Sequence, residues 1–453
     1  DLSLSEEQTE LVATVRSLLA KRSDSGAVRT AIASEAGFDA DLWQVLCEQI
    51  GVAALAVPEE HDGVGATLVE SVLVLEEIGR ALAPVPALSS LVTAEAVLAG
   101  GDSDAVARLL PRLAAGFAFD DTAQSGPWEP FGDGRLVLPA VQVLRRGGRT
   151  WVIRIDGHNR PTPVMVAPDP AGSIEVDAAD WADEASRAHY RHLVELALEA
   201  IERGELVKAV PCRSLRLERR PDVARLLATL RSTYPACATI GVSIGTTSFV
   251  AATPERLVAV AGDRLHPAAL AGSAPRHADP AIDAALGQGL LTSPKERSEH
   301  AVVVDAIDHA LQRLGMVDHH PADPVLLRLH GIQHLHTPID AQLPRGIGLF
   351  DVVGALHPTP AVAGHPGGRS AELRSTHEGM DRGWFASPVG WLDSSGDGEF
   401  RVALRSALIT DVDTTLYAGA GVVRGSDPSR ELLETDVKLG ALLGPVIATS
   451  DTR

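Results

Sequence analysis

The chain has 453 residues, of which 45% are hydrophobic and 22% charged, and its formal net charge is −20. That charge argues against nucleic acid or an anionic membrane as the main partner, and no apolar run approaches the ~18 residues of a membrane span. Three widely spaced cysteines (Cys47, Cys212, Cys237) and an acidic start without a signal-peptide pattern predict a soluble cytoplasmic protein.

Residues 1–117 read as a small all-α domain. Ser5 followed by Glu6 and Glu7 is an N-cap with negative charge in the first turn, and Leu11, Val15, Leu18 and Leu19 recur at helical spacing. DADLWQVLCEQIG and ATLVESVLVLEEIGRALA predict two more helices around the turn-rich PEEHDGVGA, and AVARLLPRLAAG is expected to close the domain as a helix. LSEEQTELVATVR, Trp43, Gly51, VPEEHDGVG, LEEIGRALAP and LLPRLAAG resemble the amino-terminal helical domain of acyl-CoA dehydrogenases; Asp62 stands where that family has glycine. The flavin-binding β-domain and catalytic carboxyl-terminal helices of those enzymes have no counterpart in this sequence. No FAD is therefore expected, and the segment is expected to pack or to dock a protein partner.

Residues 118–453 change character. GRLVLPAVQVLRR and RTWVIRIDG alternate as strands, and a helix, SRAHYRHLVELALEAIERGEL, leads into VKAVPCRSLRLE. The strand runs ATIGVSIG, SFVAATPERLVAVAG, DRLHPAALAGS, WFASPVGWLD, EFRVALRSALITD and TTLYAGAGVV follow. They mix with two helical runs, DPAIDAALGQGLLTSPKERSEHAVVVDAIDHALQRLG and PSRELLETDVKLGALLG. Clustered strands without strict βαβ alternation predict an α+β fold with antiparallel sheets.

Only four lysines occur against thirty-six arginines, and Lys208, Lys295 and Lys438 sit in short, chemically dense segments. Arginine cannot lose its proton in a protein, whereas a buried lysine can become a base or serve as a compact point charge. Glu296 with Glu299, and Glu431 with Glu434, are i, i+3 pairs on helical segments. Two such faces meeting would need a divalent cation, and oxygen ligands favour Mg²⁺; solvated salt-bridged faces, Glu434 with Lys438 for instance, explain the same spacing. His300 reads as a structural hydrogen-bonder. AGAG at 418–421 and LAGS at 270–273 mark close backbone approach to a ligand or simple bulges. Arg405 on an apolar strand calls for a carboxylate, from a substrate or from the protein itself.

ELVKAVPCR, ATPERL, LAGSAPR, SPKERSEHAVVV, QHLHTP, LHPTPAVAG, PVGWLD with GDGEFRVALRSA, YAGAGVV and ELLETDVKLG, in that order, resemble the chorismate-utilising enzymes, with LHPTPAVAG pointing to the isochorismate synthase branch. The resemblance covers about 127–450. It implies two large packed antiparallel sheets with outer helices and Mg²⁺-dependent conversion of chorismate to isochorismate. It puts the general base on Lys208, the general acid on Glu255, and the metal carboxylates on Glu299 and Glu434, supported by Glu296 and Glu431. Gly272, Ser273 and Lys438 match positions holding the ring carboxylate. Arg405, Gly419 and Gly421 match those near the enolpyruvyl carboxylate, and His334, Ala361 and Phe385 line the site. The reaction needs a neutral Lys208 and a protonated Glu255, which burial would favour.

Some positions depart from the pattern. Ala251 replaces a glycine, Thr253 a serine, and Phe385 the tyrosine of some branches; Ser387 stands where glycine is usual and is expected to crowd or reshape the pocket. Salicylate synthases resemble one another in a threonine at the position of Ala361, so the small apolar residue favours stopping at isochorismate. Relatives that use ammonia need a glutaminase partner, and none is fused here. The alternatives are salicylate synthesis with loss of pyruvate, or a non-catalytic docking protein. The chain is expected to be a monomer or weak dimer.

Overall fold

The computed structural model describes residues 4–450 apart from 24, 33–37, 56–63, 82, 84, 86, 88–111, 121–125, 140, 147–148, 155–167, 173, 175, 318–320, 330 and 394. The amino-terminal segment consists of helices Glu6–Arg22, Ser25–Ile32, Ala40–Ile50 and Leu68–Arg80. Ser5 with Gln8, and Thr67 with Glu70, close reciprocal capping boxes that satisfy the first free amides of two of them. Val15, Leu19, Leu42, Leu46, Val74 and Ile78 meet in a small core of their own. Asp62 and residues 105–111 lie outside the described residues.

Arg112–Phe117, expected as the end of a helix, is instead a strand, pairing antiparallel with Pro388–Asp393 and Gly134–Val137. Its Gly116 explains the difference. A Cβ there would lie 2.2 Å from the ring of buried Trp384, so the backbone itself packs on the indole. Tertiary contact overrides the helix propensity of Leu and Ala.

The remainder is α+β. A seven-stranded antiparallel sheet runs Ala341–Gln342, Arg264–Leu265, Arg256–Ala261, Gly398–Val402, Pro388–Asp393, Arg112–Phe117, Gly134–Val137. A five-stranded antiparallel sheet runs Cys212–Leu217, Thr414–Gly419, Ser406–Ile409, Thr247–Thr253, Ala238–Ile244. Thr247–Thr253 is buried on both faces. Phe249 and Ala251 join Val258, Trp384 and Phe400 between the large sheets, while Val250 and Ala252 meet Leu439, Leu442 and Val446 of helix Pro428–Thr449. Among the described residues no helix is long and apolar enough to cross a membrane.

Several runs that read as single strands are divided. SFVAATPERLVAVAG breaks at Pro254–Glu255, EFRVALRSALITD at 403–405 and TTLYAGAGVV at 420–421, each passing between the five-stranded sheet and another. VKAVPCRSLRLE breaks likewise at 210–211. Cys212 pairs with Gly419, Tyr417 with Ser406, and Ser406 with Ala251, so all four breaks lie at one end of the same sheet. The long helical run also divides, because Ser293 caps a new helix with Pro294 in its first turn.

Candidate active site

The four strand breaks and two helix starts converge on one cavity. Its wall includes Glu255, Gly272, Ser273, Glu299, His334, Ala361, Phe385, Arg405, Gly419, Gly421, Glu434 and Lys438. Lys208, Glu296 and Glu431 stand just behind that wall. Pro254 cannot donate to a ladder, so the chain leaves the sheet there and turns Glu255 inward, its N–H bound to Thr253 Oγ1 at 3.2 Å. Arg405 leaves the sheet with φ 48°, a left-handed backbone rare for a side chain this large.

The lysines and glutamates answer each other. Helix Pro294–Arg313 carries Glu296 and Glu299 at its start, and helix Pro428–Thr449 carries Glu431 and Glu434 at its own. Lys208 Nζ lies 2.9 Å from Glu299 Oε1, without well-formed hydrogen-bond geometry. Lys438 Nζ is 2.8 Å from Glu434 Oε1 and donates to Gly419 O at 2.8 Å. Lys295 Nζ bridges Glu431 Oε1 at 3.0 Å and Glu296 Oε1 at 3.5 Å, one from each helix. Burial raises the Glu431 and Glu296 carboxyls, reinforced by Glu434 on the first and by Glu299 and Glu434 on the second. Burial would also raise Glu434, but the Lys438 ammonium outweighs it and holds the carboxyl low.

Among the described residues no three His, Cys, Asp or Glu side chains already surround a single point as a metal cage, since each glutamate turns to a lysine. The donor set nevertheless fits a hard divalent cation: only carboxylate oxygens converge, from two helix N-termini, and Glu299 and Glu434 face the cavity.

Burial pushes the Glu255 carboxyl up to about 7, against the opposing pull of Lys208 and Lys438. A carboxyl at that value holds a proton near neutrality and can donate it. His334 is held neutral, pushed down to about 3 by burial and then by Arg405 and Lys438. Arg405 can only donate, so its contact to Nε2 of His334 at 3.5 Å leaves the ring proton on Nδ1, which reaches Ser273 Oγ at 3.0 Å. His300 is a structural hydrogen-bonder, joining Ala271 O and Thr337 Oγ1. Arg405 is buried, with only Cys237 Sγ and His334 as hydrogen-bond neighbours and no acidic partner among the described residues.

Two glycines are required by close approach. A Cβ on Gly421 would lie 2.0 Å from Glu299 Oε1, and one on Gly419 would lie 2.4 Å from Cys212 Sγ. Gly272 adopts φ 78° beside Glu296, whose Oε2 accepts the Ser273 N–H at 3.2 Å.

Ser387 does not crowd the cavity: it is fully buried and donates to Gly383 O at 3.2 Å, because the chain turns it away from the wall. Ala251 is likewise a core residue. The sequence reading missed Tyr417, which stacks on Phe385 with ring centroids 5.3 Å apart and completes an apolar wall with Val210, Val362 and Leu404. Its alternating place in TTLYAG gives only a strand signal.

Residues 89–446 match the family of chorismate binding enzymes, and residues 5–117 match the acyl-CoA dehydrogenase N-terminal domain. The salicylate biosynthesis isochorismate synthase of Pseudomonas aeruginosa is 36% identical over 382 residues, 78% of this chain and 76% of that protein. Isochorismate synthase MenF of Bacillus subtilis is 31% identical over 357 residues, 74% of each. The structure of MenF, the menaquinone-specific isochorismate synthase from Escherichia coli, superposes with TM-score 0.61 at 29% identity, over 74% of this chain and 78% of that one.

Proposed function

The chain belongs to the chorismate-binding enzyme family, and from that premise we propose that it is an isochorismate synthase, an isomerase that turns chorismate into isochorismate. The observation that carries this reading is the buried Arg405 guanidinium, which has no acidic partner among the described residues and meets the same cavity as the protonatable Glu255. A buried cation without a counter-ion is costly unless a ligand supplies one, and chorismate brings two carboxylates.

The chemistry divides among this chain's residues. Arg405 with the backbone at Gly419 and Gly421 holds the enolpyruvyl carboxylate; Lys438 with Gly272 and Ser273 holds the ring carboxylate. Lys208 takes a proton from the water that attacks C2, and Glu255 gives its proton to the C4 hydroxyl, which leaves as water. One water enters and one departs, so the product is an isomer. Mg²⁺ held by Glu299 and Glu434, with Glu296 and Glu431 behind them, would supply positive charge against the ring carboxylate. Phe385 and Tyr417 close the apolar side, and small Ala361 itself supplies no hydroxyl to assist loss of the enolpyruvyl group. No flavin takes part.

The test is direct. Purified protein is incubated with chorismate, with Mg²⁺ and again after chelation, and products are separated. Isochorismate formed only with the metal and without pyruvate is expected. Pyruvate release would indicate salicylate synthesis instead, and no product would favour a docking role.

A further inference from the structure

Helix Gly367–His377 ends just before a buried ion pair that none of the chemistry above uses. Arg382 Nε donates to Glu378 Oε1 and its NH2 group to Glu378 Oε2, both at 2.7 Å, and the two side chains are only 2% and 3% exposed. Replacing such a pair by apolar residues is often neutral or stabilising, so stability alone does not explain its presence. Its remaining bonds do. Arg382 donates at 2.8 Å to both Val362 O and Val210 O, and the Cys212 N–H donates to Glu378 Oε2 at 3.3 Å. Val210, Cys212 and Val362 all line the cavity.

Lys208 stands two residues before Val210, on the same short stretch. Its backbone exchanges hydrogen bonds with His365, Lys208 N to His365 O at 3.1 Å and His365 N to Lys208 O at 2.7 Å. The segment around Lys208 and the turn 359–365 are therefore fastened at two points: at His365 directly, and at Val210 and Val362 through one guanidinium. The Arg382 carbonyl also accepts from Phe385 N at 2.8 Å, which sets the third wall segment. The ring of Phe119 lies under the guanidinium at 4.6 Å and fixes its plane.

We propose that Glu378 and Arg382 are positioning residues for the reaction, holding the strand that carries Lys208 in register with the opposite wall of the cavity. This rests on the isochorismate synthase reading above. A planar fork is required, since its Nε, NH1 and NH2 groups reach one carboxylate and two carbonyls at once; a lysine ammonium in the same place cannot span them. Substrate carboxylates bind elsewhere, so loss of the fork misplaces the base without removing binding groups. A misplacement of ~1 Å at the reacting centre costs on the order of 100-fold in rate.

The experiment uses the full-length protein with Arg382→Lys, and with the double change Glu378→Leu/Arg382→Met, which keeps bulk and removes both charges. We expect kcat to fall about 10- to 100-fold in each, with KM for chorismate within about threefold and the alkaline limb of the pH profile unmoved. Amides of 207–212 and 359–365 should exchange hydrogen at least about tenfold faster than in the parent. If Arg382→Lys does not fold, the double variant decides. A folded double variant with kcat within about twofold of the parent, or a loss confined to KM, overturns the proposal. Should the parent itself form no isochorismate, the functional reading fails, and unchanged exchange at those amides would then overturn the positioning role on its own.

Discussion

The helical segment and the sheet-bearing body bury charge in opposite ways. In the segment, Glu77 is covered by Arg16 and Arg80, and both arginines remain more than half exposed. Such pairs contribute little, because the arginine of each stays in solvent. In the body, Lys208 and Glu299 are 1% and 10% exposed, and Arg405, Glu255 and Glu431 are buried as well. Interior charge is expensive wherever no partner offsets it. The body accepts that cost around one cavity, while the described part of the segment has an apolar interior with a charged rim. The contrast marks the body as the part that carries the active-site cavity.

The sharpest way to break the contrast is at the reacting groups. Lys208→Ala and Glu255→Gln should each lower turnover about 10²- to 10⁴-fold while chorismate still binds by calorimetry; full activity in either would remove the acid–base assignment. Next, Arg405→Met should cost roughly 30-fold or more in kcat/KM, from the ~2–5 kcal/mol typical of a buried charge pair losing one partner, chiefly through KM.

A third test uses pH. Because Glu255 must donate a proton, kcat/KM should fall as pH rises through about 7. Stability carries the same signature. The folded state holds this proton more tightly than the unfolded chain, whose carboxyl titrates near 4.5. The contribution is therefore complete below pH 4.5 and lost as pH rises through 7. Glu255→Gln should melt above the parent at alkaline pH and converge with it in acid; a constant offset would count against the assignment. The smallest effect on activity is expected from Leu46→Asp, at a site fully buried in the segment's core. It should unfold that segment, seen as lost helical circular dichroism, and leave kcat within about twofold; a collapse of kcat would show that the two regions are not separable.

Much of this was legible in the sequence, because chemistry demands residue types. Lys208, Glu255, Arg405 and the paired glutamates are charges in apolar surroundings, and the glycines sit where no side chain fits. Where strands end was not legible. SFVAATPERLVAVAG keeps a strand's apolar character through Pro254 because residues on both sides of the break are buried, one in each sheet. RLAAGF carries no sign of Trp384, its packing partner more than 250 residues away. Glu378 and Arg382 escaped notice because i, i+4 opposite charges are common on any solvated helix, and only the fold shows which carbonyls they reach. Crowding by Ser387 does not occur, since a position next to the cavity does not reveal which way its side chain turns.

The three lysines that contact glutamates around the cavity give the protein a built-in spectroscopic readout. A sample grown with isotopically labelled lysine contains four labelled side chains, and Lys21 is the one outside the site. The signals of Lys208 and Lys438 each report on one glutamate and that of Lys295 on two, so titrating metal or substrate would show which lysine is released first.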